Sequence, residues 1–201
     1  GFELMRRLTH DEYDNTIRDL FGVKLNVTER FPTELIGNSG FENSSNTLFL
    51  QSSLMERYIG AAQTVVDLAL PAEPSTSEHF RTRGLIFRNE LELNSSEEEA
   101  SSSVLSEFLT RAYRRPATEQ ELLSATQQFV EGRGNGLSYE EAIKQVIQSA
   151  LISPKFLLRV EVGKQFPEPY QVSDWELASR LSYFLWATMP DEELFDLARK
   201  G

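Results

Sequence analysis

Residues 6–22 read RRLTHDEYDNTIRDLFG, and the fold turns on how this stretch is taken. It is crowded with charge, so it is either a reactive cluster or the wet side of a helix. Thr9 and Glu12 form a T-x-x-E pattern, in which each side chain satisfies an orphan amide at a helix start. Tyr13, Ile17, Leu20 and Phe21 follow at i, i+4, i+7 and i+8, the spacing of one apolar stripe. Asp14 and Arg18 sit four apart with the acid first, the order that favours a helical ion pair. Gly22 supplies a stop. We therefore read an amphipathic helix whose charges are mostly its solvated side, in preference to a catalytic cluster.

The same signature recurs along the chain. Ser53 and Glu56 are expected to open a helix to about Leu70, with Leu54, Tyr58, Ala61, Ala62, Val65 and Leu68 on one face. Thr118 and Glu121 open another, carrying Leu122, Leu123, Phe129 and Val130. Ser138 and Glu141 precede Ala142, Ile143, Val146, Ile147, Ala150 and Leu151. Ser173 and Glu176 precede Leu177, Ala178, Leu181, Phe184 and Leu185. Capping pairs followed each time by a stripe at helical spacing are hard to obtain by accident. A further helix is expected over 101–114, ending before Pro116, which disfavours helical geometry in Arg115. Pro154 and Pro190 are read as N1 residues of short helices reaching Glu161 and Arg199.

Two regions lack this pattern. Residues 22–52 read as a long loop centred on FPTELIGNSGFENSSN. Residues 71–100 read as a linker, with PAEPSTSE at one end and NSSEEEASSS at the other. Within it, GLIFRNELEL (84–93) alternates enough for one or two short strands. The expected fold is all-α, an irregular bundle of about seven or eight helices with a long N-terminal loop and a small β element in the linker. The domains are read as 1–70, the linker 71–100, and 101–201. Whether the two helical parts pack on each other is left open.

Composition removes several functions. Of 201 residues, 40% are hydrophobic and 25% charged, with a net charge of −11 and no basic cluster. An acidic surface repels phosphate backbones, so nucleic acid is not an expected partner. The chain has no cysteine, which excludes thiol catalysis, Cys-ligated zinc and a C-x-x-C-H haem attachment within it. No apolar run approaches membrane-spanning length. The chain begins at Gly1 in mid-pattern, so it reads as a segment whose targeting signal lies elsewhere.

Candidate chemistry is sparse. His10 and His79 are far apart and neither has an acid at metal-ligand spacing, so no catalytic, cofactor-binding or metal residue is assigned. Glu97, Glu98 and Glu99 read as a solvated run and not as a calcium site. With 31 acidic residues, no carboxylate pair can be singled out for glycoside hydrolysis. The loop residues Asn38, Phe41, Asn43 and Asn46 could form a ligand or partner loop, although turn-fixing asparagines and a core-plugging Phe41 are preferred. Trp175 and Trp186, with Tyr183 and Phe184, read as core; exposed, they could instead stack on a sugar or a partner. The pairs Arg6–Arg7 and Arg114–Arg115 are expected to meet buried or half-buried carboxylates, because arginine bonds them with a planar fork.

Longer motifs carry a resemblance. RRLTHDEYDNTIRDLFG, then FP, GFENSSNTLFL and LMERYIGAA, resemble the first of a set of uncharacterised helical domains in large planctomycete-type exported proteins that carry a cytochrome c module. FLTRAYRRPATEQEL through ALISPKFLLRVE resembles a second domain of that set, and LASRLSYFLWATMPDEELFDLARKG the start of a third, so the C-terminal domain is expected to be incomplete. The resemblance implies a periplasmic or cell-surface location, neighbouring domains of the same polypeptide as partners, and c-type haem in one of those neighbours and not in this segment. It carries over no catalytic residue. The expectation is a non-catalytic structural or interaction module of an exported, haem-associated redox protein; the alternative is part of a polysaccharide-acting enzyme or a glycan-binding module, with a cleft between loop 37–47 and the C-terminal helices.

Overall fold

A computed structural model describes residues 6–31, 52–88, 96–159 and 172–201. The opening stretch folds as its spacing demands. Arg6–Arg7 form a two-residue strand, β1, and α1 follows from His10 to Phe21. Thr9 and Glu12 make the full reciprocal cap, and Tyr13, Ile17, Leu20 and Phe21 are buried. Each of those side chains contributes about 1.5–3 kcal/mol by leaving water. Gly22 ends the helix in the left-handed region, at φ 71°. The expected Asp14–Arg18 pair does not form. Asp14 accepts from the Thr28 hydroxyl in a 3-10 turn, Val27–Arg30, while Arg18 donates to Asn15 and Asp19.

Helix α2 runs from Ser52 to Ala69, so Ser53 is already helical and is not its cap. Its buried face carries Tyr58, Ala61, Ala62, Val65, Val66 and Ala69; Leu68, expected inside, is exposed. Part of the stretch 71–100, read as a linker, is helical. Ser77–Ile86 form a helix, α3, capped by the Thr76 hydroxyl, where a strand beginning at Gly84 was expected. The alternation of GLIF is overridden by Thr82 and Ile86, four apart and buried, with the Thr82 hydroxyl donating to the Phe21 carbonyl at 2.7 Å. Residues 89–95 lie outside those described.

The glutamate run is likewise a helix start. Ser96 and Glu99 form a capping box for α4, Glu97–Tyr113, and acids favour the positive end of the helix dipole. Helices α5, Glu119–Gly134, and α6, Tyr139–Leu151, both open on the expected capping boxes. In α5 the buried face is Ala125, Phe129 and Gly132, whereas Leu123 and Val130 are exposed. A Cβ on Gly132 would lie 3.3 Å from that of Ala142, so glycine lets α5 and α6 approach closely.

Pro154 does start a helix, α7, but it ends at Leu157, short of the expected Glu161. Leu158–Arg159 form β2, antiparallel to β1, with Arg6 opposite Arg159 and Arg7 opposite Leu158. The Leu8 amide donates to the Leu157 carbonyl at 2.9 Å, so strand pairing wins over helix continuation. Helices α8, Asp174–Trp186, and α9, Glu192–Lys200, form a hairpin. The N-cap of α9 is Asp191; Pro190 therefore precedes the cap and does not stand at N1.

Among the described residues the architecture is nine α-helical segments and one two-stranded ribbon, an all-α fold. Helices α4, α5 and α6 pack on one another, α2 lies against α6, and α1 against α3 and α4. One continuous core joins them, with Tyr183, Met189 and Phe195 of the C-terminal hairpin included.

Candidate functional site

The β1–β2 ribbon gathers arginines. Arg6 donates to Glu12 Oε1 at 2.5 Å, and Arg159 approaches the same oxygen at 3.8 Å. The other oxygen, Oε2, accepts from the Thr9 amide. Arg7 is buried and donates to the Tyr58 hydroxyl at 2.7 Å and the Leu8 carbonyl at 2.9 Å. Arg114 is 4% exposed and meets no carboxylate among its hydrogen bonds. It donates to the carbonyls of Lys155, Phe156 and Leu158 at 2.9–3.1 Å, and its backbone adopts the left-handed conformation at φ 59°. Arg6 and Arg115 meet carboxylates as expected; Arg115 grips Glu121 with both arms.

Tyr183 closes the seam. Its ring lies under the Arg159 guanidinium at 5.0 Å and beside Arg114 at 5.7 Å. Thr16 spends its one hydroxyl proton on the Glu12 carbonyl at 2.6 Å, so Tyr183 is the donor in the 2.8 Å hydroxyl pair it makes with Thr16. Burial lowers the proton affinity of Arg159; Glu12 opposes that, while Arg6 adds to it. The sequence reading missed Arg159, because a two-residue strand is too short to show alternation.

A second feature is the outer face of α8. The stripe of Leu177, Leu181, Phe184 and Leu185 was expected to face the core; it faces outward instead, and Phe184 is 84% exposed. The helix turns Ala178, Ser182 and Tyr183 inward. Trp186 is also exposed, whereas Trp175 is half-buried against Phe195, ring centres 5.9 Å apart. The two tryptophans are about 16 Å apart along the helix axis, at 1.5 Å per residue. Leu197 of α9 is exposed as well. The loop residues Asn38, Phe41, Asn43 and Asn46 lie outside the described residues.

A third feature is a groove of about 450 Å³ between the 3-10 turn and α2, lined by Asn26, Glu29, Phe31, Arg57, Thr64 and Leu68, among others. Among the described residues it shows no convergent set of catalytic groups. His10 meets Phe31 edge-on at 5.3 Å, and the His79 ring accepts from the Ser75 amide at 3.2 Å. Among the described residues no group of three His, Asp or Glu side chains could hold a metal ion, and no helix is long and apolar enough to cross a membrane. Without cysteine, the chain cannot attach haem through thioethers.

Three family models match consecutive stretches of the chain, each described as a protein of unknown function. DUF1587 (PSD3) matches residues 6–71, DUF1595 (PSD5) residues 100–161 and DUF1592 (PSD4) residues 172–201. No curated protein and no solved structure matches. The arginine seam is where the three stretches meet: Arg6, Arg7, Glu12 and Thr16 come from the first, Arg114 and Arg159 from the second, and Tyr183 from the third.

Proposed function

We propose that this chain is a non-catalytic interaction module of an exported, c-type-haem-associated redox protein, located in the periplasm or at the cell surface. Its outer α8 face would dock a neighbouring, haem-bearing domain of the same polypeptide. The observation that carries this reading is the exposed row Leu177, Leu181, Phe184 and Leu185, continued by Trp186. Contiguous apolar surface of this kind marks an interaction site, since isolated surface leucines are ordinary but a helical stripe of them is not. Three consecutive domain matches support a multidomain polypeptide. The resemblance of the same motifs to cytochrome-c-associated domains supports the identity of the neighbour. Haem would be attached in that neighbour, because this chain has no cysteine with which to hold it.

The test uses the full-length native polypeptide. Its absorbance spectrum should show covalent c-type haem. A photo-crosslinking phenylalanine analogue at position 184 should then join α8 to peptides of the haem module within one chain. A full-length protein without covalent haem would overturn the reading, as would crosslinks that never reach the haem module.

A further inference from the structure

We infer that Arg6 and Arg159, side by side across the β1–β2 ribbon, form a binding site for a single oxyanion, of the carboxylate, sulfate or phosphate class. The register places the two residues directly opposite each other. Like charges in that position repel, so an Arg–Arg pair is costly unless an anion bridges it. Among the described residues Glu12 is the one carboxylate they share, and it serves them unequally. Arg6 holds it at 2.5 Å, whereas Arg159 stands at 3.8 Å and makes no hydrogen bond to it.

The donors left over are specific. The Nε–H groups of Arg6 and of Arg159 are both enclosed and have no hydrogen-bond acceptor among the described residues. A guanidinium binds best through two parallel N–H groups, which match the oxygens of a carboxylate, sulfate or phosphate. The Arg6 and Arg159 side chains are 20% and 17% exposed through atoms other than Nε, so an anion arriving from solvent meets their outer edges first and takes the enclosed Nε–H groups only by entering the seam. Arg114 shares the Tyr183 ring with Arg159 and adds a third positive charge, its side-chain hydrogen bonds among the described residues going to backbone carbonyls and the Tyr183 hydroxyl. Two guanidinium groups thus share one carboxylate, with a third guanidinium on the same tyrosine, in a chain whose net charge is −11. Tyr183 supports Arg159 from below, its ring 5.0 Å from the guanidinium carbon. That contact fixes the plane of the fork before any ligand arrives and reduces the ordering cost of binding.

The experiment is a titration of the 201-residue chain with sodium sulfate, sodium phosphate and sodium acetate in separate arms, each against sodium chloride at matched ionic strength. Thermal unfolding and calorimetry are the readouts. At least one oxyanion should raise the melting temperature in a saturable way, as ligand linkage requires, and the arm with the lowest half-saturation identifies the ligand class. Arg159→Gln should weaken that response at least tenfold. This variant should fold, since among the described residues Arg159 makes no hydrogen bond through its side chain. Arg159→Lys is the second variant: it keeps the charge and removes the fork, and it should also bind at least tenfold more weakly. Equal melting-temperature increments in wild type, Arg159→Gln and Arg159→Lys would overturn the site, and so would a response to all three salts that never saturates.

Discussion

The Thr16 and Tyr183 hydroxyls lie 2.8 Å apart, joining α1 to α8 across 167 residues of chain. With Arg114 donating to Tyr183 at 3.4 Å and Thr16 donating to Glu12 at 2.6 Å, the proton direction runs one way through the seam. Both residues are buried, so water competes little for either hydroxyl. The Thr16→Val and Tyr183→Phe variants should each lose stability, and the double mutant should lose less than their sum. A coupling of about 1 kcal/mol is expected for one buried neutral hydrogen bond. Urea unfolding of the four proteins measures it, and strict additivity would show that the pair does not hold the C-terminal hairpin.

Acid should loosen the molecule at Glu121. This carboxylate is 8% exposed and takes two bonds from Arg115 and one each from Lys155 and the Thr118 amide. The Arg115 bonds hold it well below its ordinary value of 4.5, with Lys155 and Thr118 adding to the effect against the opposing cost of burial. A depressed folded-state value means that the stabilisation is fully present above the unfolded value and is lost as pH falls below it. Glu121→Gln should cost about 2 kcal/mol at pH 7, toward the low end for a charge-assisted cluster because Arg115 and Lys155 are partly solvated. The gap between wild type and variant should close as the pH drops below 4.5. A gap unchanged down to pH 3 would contradict the linkage.

Much of this fold could be read from the chain because its helix starts are chemical and local. Thr9, Thr118, Ser138 and Ser173 all cap the helices assigned to them, since a capping box needs only two residues three apart. Gly22 as a stop was legible for the same reason. What failed depended on distant partners. The rotation of α8 that exposes Leu177 and Phe184 is set by Tyr183 meeting Thr16 and by Trp175 meeting Phe195, neither of which is visible in a stripe. The helical state of Ser77–Ile86 rests on Thr82 reaching Phe21. The candidate site was less legible still. Arg6 was noted, but Arg159 becomes its neighbour only through a ribbon two residues long on each side.

Gly22 makes the local part of that contrast measurable. Its φ of 71° is left-handed, and a Cβ there would stand 2.7 Å from the Leu85 Cδ1 on α3. Leu85 can shift its side-chain end, so the backbone strain is the larger part of the cost. Gly22→Ala should destabilise by about 1–2 kcal/mol, and Gly22→Asn by less, because asparagine tolerates this conformation better than other residues. Thermal melts of both variants test the order, and equal losses would assign the cost to the Leu85 clash instead.

Tyr13 runs against the usual rule for buried polar groups. Its side chain is fully enclosed, packed against Tyr58 and Phe156 at ring distances of 5.1 and 5.6 Å, yet its hydroxyl has no hydrogen-bond acceptor among the described residues. Burial pushes the phenol well above its ordinary value, with Tyr58 and Asp14 adding to the effect, so it stays neutral across the working pH range. A neutral buried hydroxyl without a partner carries its desolvation cost with nothing returned, about 1–3 kcal/mol. Tyr13→Phe keeps the ring and its packing and removes only that oxygen. The variant should match or exceed wild type, by up to about 1 kcal/mol, or about 2–4 °C in melting temperature for a chain of this size. The contrast with Tyr183→Phe is the informative comparison, since the same chemical change removes a bonded hydroxyl there. If Tyr13→Phe loses stability as Tyr183→Phe does, the Tyr13 hydroxyl has a partner in solution, and the centre of α1 is more polar than its packing shows.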